Sequence, residues 1–251
     1  MVKLGWLGTL LGVCACSPIG VAPRKPATAP GARSGATAPT KAAAAPTPQP
    51  GVRPPARPAA EDIAYYRQAS RLLVAKDLAA VKSIDFARFR RGGMLRSHGG
   101  GPAAERELSP AMKSRDLAAI RKAATAIVAE DAAHIQAHII LMNLDQDAGH
   151  KADAELHDAF VAGMFQSILA SGDGRGFGTA FVVYFIREEY DLVRALGGEV
   201  QGQSLHHQGP RSFDILHVKT KRGAVRDVYF DITEPFAEEA KLFGLPGAAE
   251  D

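Results

Sequence analysis

The chain has 251 residues and a formal net charge of +3. Residues 1–60 contain no Asp or Glu and seven of the 30 Lys and Arg, so residues 61–251 carry 23 bases against 27 acids and sit near −4. The basic balance therefore belongs to the leading sixty residues and is no argument for nucleic-acid binding, and no stretch reaches the roughly 18–20 apolar residues that a membrane span needs.

MVKLGWLGTLLGVCAC reads as an export signal, with Lys3 as its positive end and Leu4 to Val13 as a short apolar core. Val13-Cys14-Ala15-Cys16 resembles the lipobox of bacterial lipoproteins, and Cys16 fits it better than Cys14, because Val13 and Ala15 then take the aliphatic and small positions. The resemblance implies cleavage before Cys16, its lipidation and a firm membrane anchor. Ser17 in place of Asp implies, by the same analogy, an outer-membrane lipoprotein facing the periplasm. With cleavage there the folded part has no free thiol, which excludes cysteine catalysis, cysteine-ligated zinc and disulfides from it.

Residues 17–60 hold eleven of the 16 prolines and much of the alanine. Such a composition cannot bury enough apolar surface to offset chain entropy, and it predicts a disordered Pro/Ala-rich linker. As an extended polyproline tether it reaches on the order of 130 Å. Its six positive charges are a secondary candidate for contact with anionic head groups or cell-wall polymers.

From residue 61 the pattern turns helical. Asp62 is a candidate N-cap for a helix carrying Ile63, Tyr66, Leu73 and Val74, and Ser83 for a short one carrying Phe86 and Phe89. Arg90 to Pro102, rich in glycine and arginine, reads as a loop. Ser114 is a candidate N-cap for a helix with Leu117, Ile120, Ala124, Ile127 and Val128. A second helix over 132–148 carries Ile135, Ile139, Met142 and Gln146 and ends at Gly149. A third over 152–169 buries Leu156, Phe160, Met164 and Ile168. The short connections predict antiparallel helical hairpins resembling one unit of a helix-pair repeat. His134 and His138 lie one turn apart, a weak metal-ligand pair. Asp145 lies about 10 Å further along the axis, too far to share one ion.

After residue 170 the period shortens. Ser171 to Tyr190 reads SGDGRGFGTAFVVYFIREEY. Its glycines open onto an apolar run over 179–186 that reads as a buried strand, so a Walker or dinucleotide loop, which must open onto a helix, is excluded. G-x-G-x-x-G spacing is absent, a calcium loop would have only Asp173, and G-x-S-x-G and H-E-x-x-H occur nowhere. A structural turn remains, with Gly172 and Gly174 at positive φ and Asp173 bonding its own backbone. A helix over 188–196, a weaker strand over 199–205, and strands over 212–219 and 224–232 joined at Lys221-Arg222-Gly223 complete the reading. Alternation puts Phe213, Ile215, Val228, Phe230 and Ile232 towards the core and Asp214, Tyr229 and Asp231 away. A two-residue turn would set Asp214 opposite Asp231, and a four-residue turn opposite Tyr229.

SGDG, TAFVV, EEY, QSL, SFDIL and VYFDI, together with IDFARFRRG from Ile84, resemble an uncharacterised bacterial domain of unknown function found on exported proteins and lipoproteins. The resemblance spans most of 61–236 and implies a location and a fold arrangement, but no reaction.

The expectation is an α+β protein: a signal over 1–16, a linker over 17–60 and a single domain over 61–251. That domain is helical over 61–170, sheet over 171–236 and tail over 237–251, so that helical hairpins precede a small antiparallel sheet. The leading functional expectation is a non-enzymatic envelope module, without cofactor, that binds another envelope protein or a cell-wall polymer. The alternative is a small periplasmic hydrolase using Glu188, Glu189, Asp214 and Asp231 with His206 or His207.

Overall fold

A computed structural model describes residues 59–97 and 101–243. The expected export signal, Cys16, almost all of the expected linker and residues 244–251 lie outside the described residues. The chain is α+β: a helical half, then a four-stranded sheet interleaved with further helices.

α1 (Ala59–Val74), α2 (Leu78–Lys82) and α3 (Phe86–Ser97) open the fold. Two expected caps fall elsewhere. Asp62 lies within α1, buried, and receives Arg88 at 2.7 Å and Arg91 at 2.6 Å from α3. Ser83 is the C-cap of α2, which Asp77 caps at its start. The expected loop after Arg90 is helical through Ser97. Its glycines serve packing: a Cβ on Gly92 would stand 2.1 Å from the Asp62 carbonyl oxygen, and one on Gly93 2.9 Å from the Tyr66 ring. Backbone contact this close between α1 and α3 explains glycine inside a helix, where it otherwise costs about 1 kcal/mol relative to alanine.

α4 (Glu105–Ser114) was not anticipated; Ser114 is its last residue, and Asp116 caps α5 (Leu117–Glu130) by accepting from the Ala118 and Ala119 amides. α6 (Ile135–Ala148) follows, capped by His134 and closed by Gly149 at φ +80. α7 (Lys151–Leu169) buries Leu156, Phe160, Met164 and Ile168 as the spacing predicts. The expected α6 stripe is displaced: Ala137, Ile140, Leu141 and Leu144 pack on α5, while Ile135 turns to the main core, because α6 lies between two layers.

The glycine segment has one positive-φ residue, Gly174 (φ +67), not two. Gly172 is required by crowding instead, since a Cβ there would meet the Thr179 carbonyl oxygen at 2.3 Å. Asp173 accepts from the Arg175 amide, as expected of a turn. The apolar run then yields only a two-residue strand, β1 (Phe181–Val182), before α8 (Ile186–Ala195) begins. β2 (Glu199–Gln208), β3 (Arg211–Lys219), β4 (Val225–Asp231) and α9 (Thr233–Phe243) finish the described chain. α9 covers residues expected to be tail.

The sheet order is β1-β4-β3-β2, and it is mixed rather than antiparallel throughout, because β1 runs parallel to β4. Asp214 pairs with Phe230 and Phe213 with Asp231. Neither expected register holds. The turn is a three-residue connection closed by Thr220 and Ala224 with Gly223 at φ +82, the bulged type of hairpin. An odd connection shifts the pairing by one residue and exchanges faces. Asp214, Leu216, Val218, Val228 and Phe230 therefore share the face towards the helices. Phe213, Ile215, Tyr229 and Asp231 share the other, where Phe177 from the glycine segment packs on Phe213, Tyr229 and His206. One core joins Tyr66, Phe86, Phe89 and Phe160 of the helical half to Phe181, Leu192, Leu216 and Phe230 of the sheet half.

Candidate functional site

α8 brings the acidic groups to the sheet. Its N-cap residue, Phe185, makes no side-chain cap bond, and Glu188 reaches back past it to accept from the Tyr184 amide at 3.0 Å. The same oxygen takes Arg90 of α3 at 2.9 Å, and both side chains are 1% exposed. Arg90 also lies 5.1 Å from the Tyr184 ring centroid and reaches the Val182 carbonyl at 3.3 Å. One ion pair thus ties α3, β1 and α8 together. Arg90 was read as a loop residue, so the sequence reasoning missed it; the signal was its helical spacing from Phe86 and to Met94.

Glu189 is fully buried, and neither carboxyl oxygen has a hydrogen-bond partner among the described residues. Burial first, then the charges of Asp214 and Glu188, pushes its pKa up to about 9, so it is a neutral acid at pH 7. Asp214 lies on the same side of the sheet and accepts from Gln203 Nε2 at 2.6 Å, while the Gln203 oxygen accepts from the Tyr190 hydroxyl. Burial raises the Asp214 pKa and the Gln203 bond lowers it, with burial the stronger. Burial also raises that of Tyr190, aided by Glu189 and Asp214.

Asp231 is on the opposite face, held by Arg211 at 2.8 Å and by the Thr233 amide at 3.0 Å. Glu188, Glu189 and Asp214 are therefore brought together, and Asp231 is not. His206 stacks on Phe177 away from them, and His207 bonds the Ser212 hydroxyl and lies beside Phe236.

A groove of about 700 Å³ opens beside this cluster. Its walls are the start of α8 at Tyr184 and Phe185, Leu205 and Asp214 of the sheet, and Phe236 and Leu242 of α9. Leu205 and Leu242 are 51% and 63% exposed and both line this groove. Among the described residues β2 pairs only with β3, so its ten-residue outer edge is unpaired alongside the groove.

The histidines lie elsewhere. His134 Nδ1 accepts from the Ala137 amide, and Nε2 meets Glu105 at 2.7 Å. His138 is wholly buried; its Nε2 faces the Ala132 carbonyl at 3.1 Å, and a carbonyl only accepts, so Nε2 carries the proton. Its Nδ1 then accepts from His157 Nδ1 at 2.9 Å. Burial, then His157, depresses the His138 pKa to about 3. His134 and His138, the weak metal-ligand pair of the sequence, thus have their ring nitrogens engaged by different partners. A different trio, Asp145, His150 and Asp153, places ligand-type atoms within 4.8 Å of one another. Arg121 at 2.6 Å and Lys76 at 2.7 Å already neutralise its carboxylates.

A family model described as a domain of unknown function (DUF4919) matches residues 103–241. No curated protein and no solved structure matches the chain.

Proposed function

The chain belongs to this DUF4919 family, and from that premise we propose that it is a lipid-anchored protein of the bacterial cell envelope, a non-enzymatic module that binds an extended segment of another envelope protein. The observation that carries this reading is the unpaired ten-residue edge of β2 beside the leucine-lined groove. An open strand edge offers a row of backbone donors and acceptors to an incoming strand. Alternate side chains of that strand fall into the groove, where Leu205 and Leu242 take apolar groups. At the floor, the second oxygen of Asp214 has no partner among the described residues and takes an ammonium, guanidinium or amide donor. A peptide fits this arrangement better than a glycan, because only a peptide supplies a backbone to the edge.

A small hydrolase is the second reading, favoured by the closeness of a neutral Glu189 to Asp214, whose different surroundings set their acidities apart. Against it, Glu188 is committed to Arg90, Asp231 lies across the sheet, and Glu189 has no exposed surface for a substrate to touch.

The test is selection of a displayed peptide library on the intact protein. Extended peptides alternating apolar residues with a basic or amide one are expected. Leu205→Lys and Asp214→Asn should each weaken them about tenfold, the loss typical of one buried apolar or charge-assisted contact. Selected peptides indifferent to both substitutions, or none selected, would refute the groove.

The anchor is tested by Cys16→Ser. The wild type should sediment with membranes, and the variant should be found in the soluble periplasmic fraction. Continued sedimentation of the variant would remove the lipid from the account.

A further inference from the structure

On the helical half, away from the groove, a second cavity of about 430 Å³ lies between α1, α3 and α5. Arg67 and Arg71 of α1 and Arg96 of α3 line it, with Thr125 and the apolar Leu73 and Val128. Arg88, Arg91 and Arg187 each rest on a carboxylate. Arg67, Arg71 and Arg96 have no carboxylate partner among the described residues. The nearest acid on the wall, Glu130, is engaged elsewhere: its carboxylate accepts from the Ala103 amide at 2.6 Å, and only its backbone carbonyl meets Arg96, at 2.9 Å. Arg96 is further held over the Tyr66 ring at 5.7 Å.

The domain as a whole is acidic, so this concentration of positive charge is not a general property of its surface. Arg67 and Arg71 stand at i and i+4, a like-charge pair that destabilises a helix unless something neutralises it. Guanidinium groups bind phosphate oxygens in bidentate fashion. The cavity volume suits a small organic ligand, and its apolar wall suits a body attached to the anion.

We propose that the cavity between α1, α3 and α5 is a site for a phosphate-bearing ligand, gripped by Arg67, Arg71 and Arg96, with its organic part against Leu73 and Val128. The ligand is either a free phosphomonoester or the head group of an anionic lipid, because both present the same oxyanion.

The experiment uses the full-length protein carrying Cys16→Ser, so that no acyl chain holds it to a vesicle, with two probes. One is phenyl phosphate, followed by calorimetry. The other is vesicles of phosphatidylcholine with and without phosphatidylglycerol, followed by sedimentation. Arg67→Gln/Arg71→Gln and Arg96→Gln are compared with wild type, and circular dichroism checks that each is folded; all three arginines are exposed. If the ligand is a free phosphomonoester, phenyl phosphate binds and each variant weakens it at least about tenfold. If it is a lipid head group, only the phosphatidylglycerol vesicles are bound, and the variants bind them less. The variants isolate the cavity from the six basic residues of the linker, which they leave in place. The proposal fails if neither probe binds, or if the variants bind as the wild type does.

Discussion

Arg90→Ala is expected to destabilise the protein by about 3–5 kcal/mol, the cost of leaving one member of a buried ion pair alone. The size follows from burial: Arg90 and Glu188 are each 1% exposed, so water cannot replace the lost partner. The carboxylate left behind would stand beside Glu189, whose neutral state already shows how poorly this interior accepts charge. A second variant separates charge from packing. Arg90→Met combined with Glu188→Gln keeps the volume and leaves an acceptor for the Tyr184 amide, and should recover most of the loss. Denaturant unfolding measures both. If Arg90→Ala costs less than about 1 kcal/mol, within the range of exposed pairs, then the pair is not the tie between the two halves that its geometry indicates.

The second large effect has the opposite sign. Glu189→Gln should stabilise the protein at pH 7 by about 3 kcal/mol. The carboxyl has a pKa of 4.5 when unfolded and about 9 when folded. Between those values the folded chain holds a proton that the unfolded chain does not, so stability is greatest below pH 4.5 and falls as pH rises towards 9. Each pH unit is worth about 1.4 kcal/mol, and pH 7 lies 2.5 units above the unfolded value. Glutamine has no proton to lose and removes that slope. Midpoints of chemical unfolding measured from pH 5 to 8 should fall with pH for the wild type and fall less steeply for the variant. Parallel curves, or a variant less stable at pH 7, would mean that Glu189 is ionised in the folded protein. Apart from its thermodynamics, a neutral Glu189 leaves Asp214 as the acid of this pair that faces the groove.

The helical half was legible where the period was long and clean. α7 was placed within a residue, and Gly149 ended α6 as read. Errors came where tertiary contact overrode local preference. Gly92 and Gly93 spelled a loop, yet α3 passes through them because α1 lies against its backbone. Asp62 and Ser83 looked like caps because short polar residues favour helix starts, but Asp62 is drawn inside by Arg88 and Arg91. The run over 179–186 looked like one strand, since a buried helix start and a buried strand are equally apolar; only two residues pair. The sheet register turned on one residue of loop length, and that residue decided which face Asp214 occupies.

The candidate site was half legible for the same reason. Glu188, Glu189 and Asp214 were singled out by residue type, and the fold gathers them. Asp231 was grouped with Asp214 on the wrong register. Arg90 and Gln203, which hold Glu188 and Asp214, were not seen, since nothing local marks a partner supplied from residues 90 or 203.

The central claim is that β2 and the groove beside it receive an extended peptide. Amide hydrogen exchange measured across Glu199–Gln208, with and without a peptide selected on the intact protein, tests it most directly. The account predicts that peptide slows exchange along β2 in an every-other-residue pattern, as the outward amides find partners. Unchanged exchange along β2, with protection appearing elsewhere or nowhere, would contradict it.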